Sequence, residues 1–160
     1  MPAIKIFVKP YVKKFLKATY GKTEPIQVRG DDDLGVLFRL GIGADVRLSD
    51  AEFEDEDELY TSMDKKRVKL NFFLTFRVAH GRMTVEQKQK ITKAMESEFY
   101  KAMYFYCKGV REYPAIRISE RQAVVTFLNS YGIKQEDGIS EDAAIKATQR
   151  ERQRKEAKNL

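Results

Sequence analysis

Tryptophan is absent from the 160 residues, cysteine and histidine occur once each, and proline occurs four times. The single cysteine, Cys107, closes no disulfide within the chain, so a disulfide scaffold is excluded and a reducing compartment is expected. Four prolines and nine glycines are too few for collagen-like or linker sequence, while ten Phe and eight Tyr argue against disorder along most of the chain. No apolar run reaches the roughly 18 residues that span a bilayer, and the first ten residues hold no signal-peptide core. A soluble, cytoplasmic protein with no membrane contact is the expectation.

Catalytic groupings are missing as well. His80 follows a strand in a turn sequence, with no Cys, Ser or acid at a catalytic or metal-binding spacing, and reads as a turn residue. Cys107 stands inside an aromatic stretch, where a thiol is a small buried hydrophobe. Gly41-Ile42-Gly43 lacks the third glycine and the preceding strand of a phosphate-binding loop. Asp31-Asp32-Asp33 suits a helix start, whose exposed amides need acceptors, better than a cation. The expectation is a protein that is not an enzyme and has neither metal nor cofactor.

Charge is present and strongly segregated. Residues 1–30 carry a net +6, residues 31–64 a net −10, residues 65–90 a net +7 and the rest +3, for a total of +6. Two basic stretches flank an acidic one, which is densest from Asp50 to Glu58. The total leans towards polyanionic partners without naming one.

Patterning yields an α+β chain. Ile4, Ile6 and Val8 alternate in a first strand. Pro10 opens a basic amphipathic helix with Val12, Phe15 and Leu16 inward, Lys13, Lys14 and Lys17 on other faces and Gly21 as its stop. Ile26 and Val28 suggest a short strand. Leu34, Leu37, Phe38 and Leu40 line a second helix ended by Gly41 and Gly43. The strongest strand runs from Arg67 to Val78, where Val68, Leu70, Phe72, Leu74, Phe76 and Val78 alternate without a break. Its partners must be the short runs at 3–8 and 25–28, with Val46–Leu48 a weaker candidate.

After a turn at His80-Gly81-Arg82, Thr84 and Gln87 form a capping box that opens a long amphipathic helix reaching about Lys108. The stretch from Phe99 to Cys107 is aromatic almost all round and reads as core, with an association surface as the alternative. Gly109 and Pro114 mark a loop. Ser119 and Gln122 form a second capping box, with Ile118 as a hydrophobic staple, for a helix that buries Ala123, Val124, Phe127, Leu128 and Tyr131 and stops at Gly132. Ser140 caps a final helix with acids in its first turn and cations in its last, as the helix dipole favours. The predicted architecture is a small antiparallel or mixed sheet packed on a long helix, followed by a C-terminal helical pair. The domain division places an α+β scaffold at 1–112, including the acidic segment 44–64, and a helical pair with a basic final helix at 113–160.

Residues 118–156 read as helix, connection, helix, ending in Thr148-Gln149-Arg150-Glu151-Arg152-Gln153-Arg154-Lys155. This stretch resembles the helix-turn-helix DNA-binding proteins of bacterial phages and mobile elements over about 40 residues. It departs from them in its connection, about nine residues from Gly132 to Ser140 where the motif uses three or four. The resemblance implies a small nucleic-acid-binding protein, regulatory or accessory, acting on double-stranded DNA. If a phage encodes it, the host cytoplasm or the virion is its place. Lys146, Arg150, Arg152, Arg154 and Lys155 are the candidate phosphate contacts and Gln149 and Gln153 the candidate base readers. Lys13, Lys14 and Lys17, with Lys65-Lys66-Arg67, offer a second basic surface. The alternative is a phage-like structural or adaptor protein that self-associates or docks in a larger assembly through its aromatic helix and opposed charge blocks.

Overall fold

The computed structural model describes residues 3–21, 23–29, 33–42, 73–77, 83–113, 115 and 117–157. Several sequence readings lie outside these residues: the acidic segment, the Lys65-Lys66-Arg67 triplet, the Val46–Leu48 run, the His80 turn, Asp31, Asp32 and Gly43, and the outer parts of the long strand. The chain forms two compact units, residues 1–96 and 97–160.

In the first unit, strand β1 (Ala3–Phe7) buries Ile4 and Ile6 and exposes Ala3 and Lys5, the period of two expected of a half-buried strand. Helix α1 (Pro10–Tyr20) has its proline in the first turn, where a missing N–H leaves no helical bond unmade. It buries Tyr11, Val12, Phe15 and Leu16. Strand β2 (Ile26–Gln27) and helix α2 (Asp33–Ile42) follow. Leu34 and Phe38 face inward as their spacing predicts, and the helix continues through Gly41 instead of stopping there.

Strand β3 (Phe73–Arg77) is the centre of the sheet, whose order is β1-β3-β2. It runs antiparallel to β1, with Ile6 opposite Leu74 and Ile4 opposite Phe76, and parallel to β2, with Ile26 opposite Phe76. The sheet is therefore mixed, and both partners inferred from the sequence are the ones used. Leu74 and Phe76 are fully buried, and the Phe38 ring of α2 lies 5.2 Å from that of Phe76. The start of the long helix α3 (Val85–Glu112) covers this sheet. Ile91 and Met95 are fully buried, and the Thr92 hydroxyl donates to the Phe7 carbonyl at 2.7 Å. Its N-terminus is the expected capping box: the Gln87 N–H donates to Thr84 Oγ1 at 3.2 Å and the Thr84 N–H to Gln87 Oε1 at 2.9 Å.

At its far end α3 departs from the sequence reading. Gly109 does not open a loop; the helix passes through it to Glu112. A helical glycine costs about 1 kcal/mol against alanine, which a long helix absorbs, and the Lys108–Glu112 pair at 3.7 Å bridges the turn that contains it.

The second unit joins the C-terminal part of α3 to α4 (Glu120–Ser130), a 3-10 turn (Gln135–Asp137) and α5 (Glu141–Glu156). The Ser119–Gln122 capping box is formed in both directions, and the Ser140 hydroxyl accepts the Ala143 N–H at 3.2 Å. The Phe127 ring is the centre of the packing, 5.8 Å from Phe99, 5.6 Å from Tyr106 and 4.9 Å from Tyr131. Two helices alone could not enclose a core of this size; the aromatic part of α3 supplies the third side. The whole is an α+β fold, a three-stranded mixed sheet packed on a long helix and followed by C-terminal helices. Among the described residues, no helix is long and apolar enough to cross a membrane.

Candidate nucleic-acid interface

Helix α5 exists because its local chemistry is consistent from end to end. Ser140 caps it, Glu141 and Asp142 stand in the first turn, and Arg154 and Lys155 in the last. Its interior is poor in apolar residues, and only Ala144 and Thr148 are buried. The Thr148 hydroxyl donates to the Ala144 carbonyl at 3.0 Å, so even the buried face satisfies its polar group within the helix.

Successive helical residues turn by about 100°, which places Lys146, Gln149, Arg150, Gln153 and Arg154 on the side away from Ala144 and Thr148. All five are exposed. Lys146 and Arg150 have no acidic partner among the described residues, and Arg154, itself exposed, reaches back at 3.4 Å to Glu151, whose side chain is only 12% exposed. Five of the seven candidate residues on this helix thus share one face: three cations with two amides between them.

The other two point elsewhere. Arg152 donates from Nη2 to Glu120 Oε1, joining α5 to the first turn of α4. The hydrogen bond that Arg152 donates to Glu120 raises its pKa above the ordinary value, against the opposing effect of burial. Lys155 lies on the same inner side, its Nζ 5.5 Å from the centre of the Phe105 ring. Both hold the helix in place in the unit. Sequence reading grouped them with the outer cations because alternation along the chain says nothing about which turn faces a neighbour.

The N-terminal end of α5 is tied differently. Arg121 of α4 reaches Glu141 at 3.0 Å and Asp142 at 3.5 Å. Asp142 is four residues before Lys146 and its side chain is 73% exposed, so the outer side of the helix changes sign along its length, acidic first and basic after. This clasp, formed across 20 and 21 residues, carried no local sequence signal.

The second basic surface, on α1, is compensated. Lys13 and Lys17 face the Glu24 carboxylate at 3.2 and 3.5 Å, and Lys14 is half-buried. Glu24 also accepts the Thr75 N–H at 3.1 Å, which continues the ladder of β3 where β2 has not yet begun. The lysines of α1 therefore hold the helix to the sheet.

Cys107 is 2% exposed, and burial, with Glu120 adding to it, pushes its thiol up to about 11 despite Arg111 and Arg152 nearby. At neutral pH it is a protonated core residue, which matches its reading as a small hydrophobe.

No protein-family model, curated protein or solved structure matches the chain.

Proposed function

We propose that the protein is a small nucleic-acid-binding protein, acting on double-stranded DNA in a regulatory or accessory role, and that the outer face of α5 makes the contact. The observation that carries this reading is the exposed set Lys146, Gln149, Arg150, Gln153 and Arg154 on one side of a capped helix. Arginine and lysine neutralise phosphates, and glutamine matches the donor and acceptor pair of adenine in the major groove.

The charge gradient along α5 sets the docking geometry. In the usual helix-turn-helix the N-terminal residues of the second helix approach the bases. Here that end carries Glu141 and Asp142, which a phosphate-lined groove repels, so the last three turns of α5 are the ones brought to the duplex.

Titration of a labelled duplex at two ionic strengths tests the reading. Binding is expected to weaken steeply with salt, and the triple variant K146A/R150A/R154A to reduce the slope of log K against log salt by about 2.7, three phosphate contacts at about 0.9 each. R152A and K155A are expected to change the slope by less than either outer arginine does. A chain that binds no duplex at low salt overturns the proposal and leaves the role of an assembly component.

A further inference from the structure

We propose that Phe105 is a stacking platform for an unpaired base, so that the second unit takes single-stranded nucleic acid at the side of α3 that carries this ring. The inference rests on the nucleic-acid reading above and adds to the duplex-facing side of α5 a second contact surface, one for an unpaired strand.

Phe105 lies in mid-helix between residues that are buried: Met103 is 0% exposed, Tyr104 8% and Cys107 2%, whereas Phe105 is 53% exposed. A phenyl ring on the inner side would add roughly 1.5–3 kcal/mol by burial; this one leaves much of that uncollected. Its immediate setting is cationic. The Lys155 ammonium of α5 lies over the ring at 5.5 Å, Lys101 precedes it by one turn and Lys108 follows by nearly one. Two acids stand near as well, Glu98 at 3.1 Å from Lys101 and Glu112 at 3.7 Å from Lys108. The Lys108–Glu112 pair is solvent-exposed and the Lys101–Glu98 pair half-buried; a pair of the exposed kind is worth so little that a phosphate can replace the carboxylate. Lys155 has no carboxylate partner among the described residues, and neither has Arg111, one turn past Lys108.

Charge decides between possible occupants of the ring. An apolar protein surface seated on Phe105 would have to strip water from the surrounding ammonium groups, which is costly when they gain no partner. A nucleotide strand brings a flat π face for the ring and phosphates for the lysines together, the combination on which single-strand binders rely. Duplex DNA keeps its bases stacked inside and offers the ring nothing. The groove next to it, about 390 Å³ between α3 and α5, is lined by Lys108, Arg111 and Arg152 together with Glu112 and Glu156, and gives the backbone a path.

The chain has no tryptophan, so F105W introduces a sole indole at the proposed contact. Full-length F105W is titrated with a twelve-nucleotide oligothymidylate and, separately, with a twelve-base-pair duplex. The single strand is expected to quench the emission by about half or more at saturation, and the duplex to leave it nearly unchanged. F105A is expected to bind the single strand about tenfold more weakly than the parent and the duplex within about twofold of it. Oligothymidylate binding that F105A leaves intact, saturation without quenching, or no oligothymidylate binding at all overturns the proposal. So does light scattering in which F105A converts an oligomer into a monomer while single-strand binding stays unchanged, since the ring is then a protein contact. Single-strand binding with no duplex binding leaves this inference standing and removes the duplex assignment alone.

Discussion

At the scale of single residues, Glu24 shows how one carboxylate organises the first unit. It closes the end of the sheet ladder at Thr75 and holds Lys13 and Lys17 of α1. Burial pushes its pKa up, but the Thr75 hydrogen bond and the two ammonium groups outweigh burial and hold the carboxyl below its ordinary value of 4.5. A depressed carboxylate stabilises the fold fully above that ordinary value and loses its contribution as pH falls through the lower, folded one. E24Q is therefore expected to be less stable than the parent at pH 7, by about 1 kcal/mol for the charged hydrogen bond weakened, and to lose less stability on acidification below 4.5. Urea midpoints at pH 7 and pH 3 check both halves. Equal acid sensitivity in parent and variant would show that other carboxylates govern the acid limb.

At the scale of elements, what was legible in the sequence was what is local. Thr84 with Gln87 and Ser119 with Gln122 are three residues apart, and both reciprocal caps are formed as their spacing demands. S119A and S140A are each expected to cost about 1 kcal/mol, seen as a lower thermal midpoint. The strand pairing was legible for a different reason: β3 needed neighbours and the sequence held few. Gly109 was misleading because a glycine signals a stop only where a left-handed turn is required, and in α3 none is. The candidate site was legible as a helix with a cap and a basic end, but not as a face. Arg152 finds Glu120 across 32 residues, a pairing that no spacing rule reports. Phe105 was hidden because the stretch around it is aromatic on every side, and only the packed helix distinguishes the turn that stays outside.

At the scale of the whole molecule, the chain forms two compact units whose boundary, between Glu96 and Ser97, falls inside the continuous helix α3. Each unit has its own buried centre, Leu74 and Phe76 in the first and Phe127 with its ring partners in the second. L128A removes a side chain that is 5% exposed in the second unit, at a cost of about 2–5 kcal/mol. Amide hydrogen exchange is expected to speed up across α4 and α5 and to remain slow in β1 and β3, as befits separately opening regions. Uniform acceleration in both would mark a single cooperative transition. Net charge is an equally poor description of the whole: a total of +6 gives no account of the outer face of α5, where arrangement and not the sum confers the affinity proposed.

The connection from α4 to α5 looks like a spacer and is built like a joint. Gly132 and Gly138 hold φ values of 62° and 90°, where a side chain is strained. Ile133 and Ile139 are buried, and the Asp137 carboxylate accepts the Lys134 N–H at 2.7 Å. Surface loops are ordinarily the stretches most open to evolutionary drift. This one is constrained at half its positions, so in a library of random variants it should accept as few replacements as the helices it links, and insertions there should be purged.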